Sequence, residues 1–355
     1  MIVELKAPFP YFGGKSTIAH LVWDALGNPK HYIEPFFGSG AVLLSRPNYD
    51  QAAAVETVND KDGFVANVWR SIKFSPAETA KWCDWPVNHA DLRARRNALL
   101  KNEARLLDNL IADDMWHDPK MAGYWIWAAG AWIGEGLTRP ESIPRIGNGG
   151  SGIHVIGRRP AVSHAGQGVH ALGLRVAGKI PHISHDVGVH AIGKRPHVDK
   201  QGCGVHKLST RTGGVYEWMD SLSARMRHVR IVCGDWSQVC GGDWQDNMGA
   251  AGIFFDPPYG DKAGRCKRLY RHESGTVADE VRAWCLARGA RPSYRIVLAG
   301  YFEEHEGLME HGWRVARWSA YGGLGNLGAG RGRSNRHKET LFLSPHCIDR
   351  QGGLF

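Results

Sequence analysis

A chain of 355 residues, 43% of them apolar, has material for one large or two ordinary domains with real cores. Its longest apolar stretch, Tyr124 to Gly134, is too short to cross a bilayer, and Glu4 and Lys6 interrupt any apolar leader, so neither a membrane span nor a secretory signal is expected. Seven scattered cysteines with no Cys-x-x-Cys argue against a disulfide framework and for a reduced, cytoplasmic setting, while a net charge of +9 points to a polyanionic partner.

The first signal along the chain is Pro10-Tyr11-Phe12-Gly13-Gly14-Lys15-Ser16, a glycine turn carrying a cation. Alone, Lys15 reads equally as a solvated lysine near a helix start. Next, the short apolar run Tyr32-Ile33 leads into Glu34-Pro35-Phe36-Phe37-Gly38-Ser39-Gly40 and then the helix-compatible Ala41-Val42-Leu43-Leu44. Glycines at a strand-to-helix turn let backbone approach a ligand closely, which predicts a nucleotide-type pocket. A dinucleotide fingerprint would need a third glycine where Leu43 stands, so the oxidoreductase version of this turn is incomplete. Ala52 to Val58 reads as a second strand, delivering Asn59-Asp60 about 20 residues beyond the glycine turn, where an acid accepts ribose hydroxyls.

Asp91 to Asp108 has helical periodicity, with Leu92, Leu99, Leu106 and Leu107 apolar and Arg93, Arg95, Arg96, Lys101 and Arg105 on other faces. A basic helical face is ordinarily solvated surface; phosphate contact, through Arg93 and Arg96, is the functional reading. The tryptophan run Trp125, Trp127 and Trp132 reads as the core of the same subdomain, with one indole wedging into a nucleic-acid stack as the alternative. From Gly136 to Gly214 eleven basic residues stand against three acidic ones, nearly the whole positive excess of the chain. This segment is repetitive: Pro144 to His154, Pro160 to His170, Pro181 to His190 and Pro196 to His206 share a Pro, Gly and Ile/Val-His pattern. Its histidines have no recurring Cys or carboxylate beside them, so no metal is expected, and hydrogen bonding or stacking is their role. Arg158, Arg159, Lys194 and Arg195, at matching repeat positions, are candidates for the nucleic-acid backbone.

Val229 to Cys233 reads as a third strand, ending in Gly234-Asp235-Trp236. Gly252-Ile253-Phe254-Phe255 is a buried strand stopped by Asp256-Pro257-Pro258-Tyr259, because proline removes a donor and fixes φ. Such a rigid loop offers a carboxylate, free carbonyls and an aromatic face, the parts that hold a planar amine-bearing ring. Alternation then resumes, with helices at Thr276 to Arg288 and Glu303 to His311 and strands at Arg295 to Leu298 and Trp313 to Trp318. The Gly- and Arg-rich Gly322 to Ser334, with Arg331 and Arg333, is expected to be a loop that orders on nucleic acid, and Arg336 lies in the basic head of the basic-then-apolar segment Asn335 to Leu343.

Taken in order, YFGGK (11 to 15), EPFFGSG (34 to 40), NDKD (59 to 62), GDW (234 to 236) and DPPYG (256 to 260) resemble the D12 class, or Dam-like, adenine-N6 DNA methyltransferases of the α group, over roughly residues 5 to 75 and 215 to 345. Tyr11-Phe12 departs from the Trp-Ala common at this turn in cellular members. The resemblance implies S-adenosylmethionine as cofactor, held by Tyr11, Phe12, Gly13, Gly14, Lys15, Glu34, Pro35, Phe36, Gly38, Gly40, Asp60, Asp235, Trp236 and Asp256. It implies Asp256, Pro257, Pro258 and Tyr259 as the catalytic loop, with Tyr259 stacked on a flipped base. The expected fold class is α/β: a doubly wound, Rossmann-like methyltransferase sheet from 1–80 and 215–355, with an inserted basic target-recognition subdomain at 81–214, helical over 81–135 and repetitive over 144–206.

The chemistry suits these residues. An exocyclic adenine amine is a poor nucleophile because its lone pair is delocalised. Hydrogen bonds from its two protons to the Asp256 carboxylate and the Pro257 carbonyl favour the pyramidal form and free that pair, so positioning and electrostatics suffice without an activated serine, cysteine or metal. The Gly-rich insert is similar to that of phage and prophage members, which implies the cytoplasm of a bacterial host and little sequence context in double-stranded DNA, with single strands or RNA as further substrates. A protein-glutamine methyltransferase is the rival enzyme, although its loop usually begins with Asn. A DNA-binding protein that retains the pocket without turnover is the rival of another class.

Overall fold

The computed structural model describes residues 5–9, 11, 15–132, 137–138, 183–184, 188–189, 214–242, 249–258, 276–317 and 339–349. In chain order the elements are α1 (Ala19–Leu26), β1 (His31–Glu34), α2 (Ala41–Leu44), β2 (Val55–Asp60), α3 (Gly63–Phe74), α4 (Pro76–Cys83), α5 (His89–Ala112), α6 (Pro119–Ala131), β3 (Ile183–Ser184), β4 (Gly188–Val189), α7 (Val215–Met226), β5 (Val229–Cys233), α8 (Ser237–Cys240), β6 (Ala251–Phe255), α9 (Val277–Arg288), β7 (Tyr294–Tyr301), α10 (Phe302–His305), β8 (Arg314–Arg317) and β9 (Glu339–Leu343). They form two compact units, one of Met1–Glu4, Phe12–Lys61 and His228–Phe355, the other of Leu5–Tyr11 and Asp62–Arg227. This division differs from the expected 1–80 and 215–355, because α3 and α4 pack against α6 and α7 and so join the helical unit.

The first unit is built on a seven-stranded mixed sheet in the order β5-β2-β1-β6-β7-β9-β8. Strands β5, β2, β1, β6 and β7 are mutually parallel, whereas β9 runs antiparallel to both β7 and β8. Renumbered along the sheet, the parallel part runs 3-2-1-4-5, the doubly wound order, with the final two strands exchanged. Every residue of β6 is buried, which is why Ala251 to Phe255 reads as an unbroken apolar run instead of an alternating one. Phe255, Ile253, Ile296, Leu298 and Phe342 join the core beside it, and full burial of one such side chain contributes about 1.5–3 kcal/mol.

Most expected elements are present, with shifted ends. Strand β2 starts at Val55, not Ala52, because Asp50 accepts the Ala52 amide on its carboxylate and the Ala53 and Ala54 amides on its carbonyl, drawing these alanines into a turn. The helix expected at Glu303 to His311 is α10 followed by a 3-10 segment, Glu306–His311. Helix α5 is longer than Asp91 to Asp108 at both ends, starting where the Asn88 side chain accepts from the Asp91 amide.

The second unit packs α3 against α5 and α6. Arg70, only 2% exposed, donates to the carbonyls of Leu110, Asp113 and Trp116, satisfying acceptors at and beyond the end of α5. Trp125, Trp127 and Trp132 are all buried, in agreement with the core reading. Of the repeat region only the short antiparallel pair β3–β4 falls within the described residues.

Candidate active site at the carboxyl edge of the sheet

Strands β1, β2, β5 and β6 are adjacent and parallel, so their carboxyl ends meet at one edge. The winding reverses between β1 and β6, and the crevice beyond such a switch point is where open α/β sheets take ligands. Sequence places the glycine turn after β1, Asp60 at the end of β2, Asp235 after β5 and Asp256 after β6. The fold thus brings four motifs, the first and last more than two hundred residues apart, to one edge of one unit.

The turn after β1 needs its glycines. Gly38 and Gly40 have φ of 48° and 62°, and a Cβ on Gly40 would lie 2.6 Å from the Phe37 ring. The Gly40 amide donates to the Phe37 carbonyl at 2.8 Å, and the Gly38 amide donates to Asp60 Oδ2 at 2.8 Å. Asp60, the expected ribose acceptor, therefore also braces the glycine turn. Helix α2 has a single turn and little macrodipole, so close backbone approach is what this motif provides.

Glu34 faces inward. It is 3% exposed, its Oε2 accepts from the Tyr32 hydroxyl at 2.8 Å, and the Leu43 amide donates to it. Burial pushes its carboxyl well above the usual range; the Tyr32 hydrogen bond pulls back, and the charge of Asp256 pushes further. These bonds tie the end of β1 to α2, which follows the glycine turn.

On the far side of β2, Asp235 Oδ1 accepts from the Ser237 amide and hydroxyl, and Lys61 Nζ reaches Oδ2 at 3.5 Å. Burial alone would raise this carboxyl, but Ser237 and Lys61 hold it below the ordinary carboxylate range. Trp236 stacks on Phe36 with centroids 6.4 Å apart and meets Phe255 edge-on at 5.9 Å, so the turns after β1 and β5 and the end of β6 share one aromatic wall. Phe36 and Trp236 were both expected at the cofactor; Trp236 is only 6% exposed.

Asp256 leaves β6 and pairs with Lys15 Nζ at 3.1 Å, with side-chain exposures of 16% and 5%. The cation of the first glycine motif thus serves the acid of the last. Pro257 is buried and Pro258 half-buried, fixing the loop. Tyr11 belongs to the second unit, where its ring meets Phe9 edge-on. Phe12, Gly13, Gly14 and Tyr259 lie outside the described residues.

Three residues at this edge carry no expected role: Asn59, Lys61 and Phe255. Asn59 Nδ2 donates to the Pro35 carbonyl at 3.0 Å and the Gly234 carbonyl at 3.1 Å. Its signal was legible, since a polar amide ends an apolar strand beside Asp60.

The nucleic-acid candidates divide. Arg93 is exposed on α5. Arg96 is not available to phosphate: it is 4% exposed, lies 5.6 Å over the Trp132 ring and donates to the Leu137 carbonyl at 2.9 Å. Its neighbour Arg95 is 6% exposed, donates to the Trp82 carbonyl at 2.7 Å and lies over the rings of Tyr124 and Trp127. Tryptophans packed along α5 explain this, because periodicity shows a face and not what covers it. Arg158, Arg159, Lys194, Arg195, Arg331, Arg333 and Arg336 lie outside the described residues. Among the described residues no His, Cys, Asp and Glu cluster is placed to hold a metal, and no helix is long and apolar enough to cross a membrane. No family model matches the chain, and no curated protein matches it.

Proposed function

We propose that the chain is an S-adenosylmethionine-dependent methyltransferase acting on the N6 amine of adenine in DNA. The observation that carries this reading is the convergence of the glycine turn, Asp60, Asp235 and Asp256 on the switch-point edge of one sheet, in the order of the five motifs the sequence shares with Dam-like enzymes. The donor set suits the cofactor. Left-handed glycines allow close backbone approach, two separated carboxylates match a ribose and an exocyclic ring amine, and the Phe36–Trp236 pair supplies a flat apolar wall. Gly38, Gly40, Asp60 and Asp235 would hold it, and when bound it supplies an electrophilic methyl on a sulfonium.

The protein's own part is positional. Asp256, ion-paired with Lys15, is an acceptor only, the form required to take a proton of the target amine in a hydrogen bond. Pro257 contributes the second acceptor, its carbonyl, on a loop that two prolines stiffen. Together they turn the amine lone pair toward the donor and hold it there. Tyr259 supplies the stacking face for a base that has left its helix, and the insert grips phosphate with its basic repeats. Little sequence context, a bacterial cytoplasmic setting and phage kinship belong to the same reading.

The test is incubation with labelled S-adenosylmethionine and DNA, RNA or protein, followed by sequencing of modified adenines. Label in adenine N6 of DNA is the expected result. Label in RNA or protein alone would move the substrate class, and DNA binding without label in any polymer would leave a non-catalytic binding protein.

A further inference from the structure

We infer that Asn59 is a positioning residue that sets the distance between the glycine turn after β1 and the Asp235 turn after β5, and so decides whether a nucleoside fits between them. This inference rests on the methyltransferase reading, which names what the two turns hold. Asn59 is 1% exposed at the end of β2, between the strands that carry both turns. Both bonds from its side chain go to main-chain carbonyls, Pro35 O at 3.0 Å and Gly234 O at 3.1 Å. Two carbonyl acceptors require the NH2 end of the amide, so its orientation is dictated by chemistry. A third bond completes the tie, the Phe37 amide donating to the Asn59 carbonyl at 2.9 Å.

From Asn59 the tie reaches 24 residues back to Pro35 and 175 residues on to Gly234. On one side it ends within the turn that presents Gly38 and Gly40; on the other it ends at the residue before Asp235. Asp60 follows Asn59 directly and is braced by Gly38, so the ribose-side acceptor, the glycine turn and the ring-side acceptor share one origin. No other side chain of this size offers two donors from one nitrogen: aspartate has the shape without the protons, serine has one proton, and glutamine is longer by a methylene.

The experiment is calorimetric titration of S-adenosylhomocysteine into wild type, Asn59→Ala and Asn59→Asp, with unfolding midpoints and methyl-transfer kinetics on each. Loss of two hydrogen bonds predicts affinity at least about tenfold lower in the alanine variant. The aspartate variant, which sets a carboxylate against two carbonyl oxygens, is expected to bind no better than alanine, and in both kcat at saturating cofactor falls less than affinity. A role in packing alone predicts the opposite order, since aspartate fills the same volume. Aspartate binding within about twofold of wild type, or a loss carried wholly by kcat, overturns the inference. If either variant is unfolded, Asn59→Ser, which keeps one donor, takes its place and must bind more weakly than wild type. Failure of wild type to bind S-adenosylhomocysteine would instead overturn the methyltransferase reading itself.

Discussion

Lys15 and Arg95 are both cations almost wholly withdrawn from water, and they are withdrawn for opposite ends. Lys15 meets a carboxylate at the edge of a strand, beside a proline loop and a glycine turn. Arg95 meets rings: Tyr124 at 4.5 Å, Trp127 at 4.3 Å and Trp85 at 5.7 Å, with the Trp82 carbonyl as its acceptor. A charge held by another charge at the switch-point edge of the sheet is, on the proposed reading, poised to act on what enters there. A charge held by ring faces inside a helical unit has become a packing element with a polar tip. Burial of a basic residue therefore says little until its partner is known.

The comparison breaks most visibly at the Lys15–Asp256 pair. Asp256→Ala removes the carboxylate proposed to orient the target amine and leaves Lys15 without this counter-charge. Methyl transfer should fall by about 10²–10³-fold or more, the range seen for loss of one preorganised electrostatic group. DNA affinity, measured by titration at fixed salt, should stay near that of wild type, because the positive charge lies elsewhere in the chain. Equal methylation by wild type and variant would remove Asp256 from the chemistry.

The reverse pattern is expected at Arg95. Arg95→Ala deletes a hydrogen bond to a carbonyl and the cation that three rings surround, and it opens a cavity among them. A destabilisation of about 3 kcal/mol follows from those losses together, read as a lower denaturant midpoint at unchanged slope. The turnover of the molecules that remain folded should be unaltered.

How much was legible beforehand follows the same line. At the sheet edge, the strand ends were marked by residues whose backbone chemistry is local: the double proline after Phe255, and the glycines at 38 and 40 whose φ is positive. Their meeting at one edge required only the doubly wound order, so the places of these turns were readable from the strands and the residues that stop them. In the helical unit, periodicity gave α5 but could not reveal that tryptophans from α6 and from the segments on either side would cover Arg95 and Arg96. The place of Asn59 at a strand end was legible but its partners were not, because its bonds run to main-chain carbonyls of remote segments, which carry no side-chain signature. The unit boundary moved from 80 to 61 for a similar reason, since only packing shows which helices α3 and α4 lie against.

A third buried basic group extends the comparison to a titrating residue. His305, 1% exposed, lies edge-on to Phe342 at 5.6 Å and against Gly300, where a Cβ would come within 2.3 Å of its ring. Burial, with the charge of Arg282, lowers its pKa to about 4. The unfolded chain therefore takes up this proton first, near pH 6.5. Stability from this group is complete above that value, declines as pH falls from 6.5 toward 4, and levels off below. The full decline is at most about 3 kcal/mol. His305→Gln should flatten that part of the stability profile, and an unchanged slope between pH 6.5 and 4 would assign the acid sensitivity to other groups.

The smallest effect is expected where a cation has no packing role. Arg93 shares the α5 segment with Arg95 and Arg96 but is exposed, so Arg93→Ala should leave stability within about 0.5 kcal/mol of wild type. If it touches phosphate, its loss weakens DNA binding at every sequence alike and reduces the salt dependence by about one counterion. Arg96→Ala should do the converse, lowering stability through the Trp132 contact and the Leu137 hydrogen bond while leaving the salt slope unchanged. Two arginines three positions apart then give opposite readouts in the same pair of assays. Equal behaviour of the two variants would show that burial along α5 does not separate structural from phosphate-binding charge.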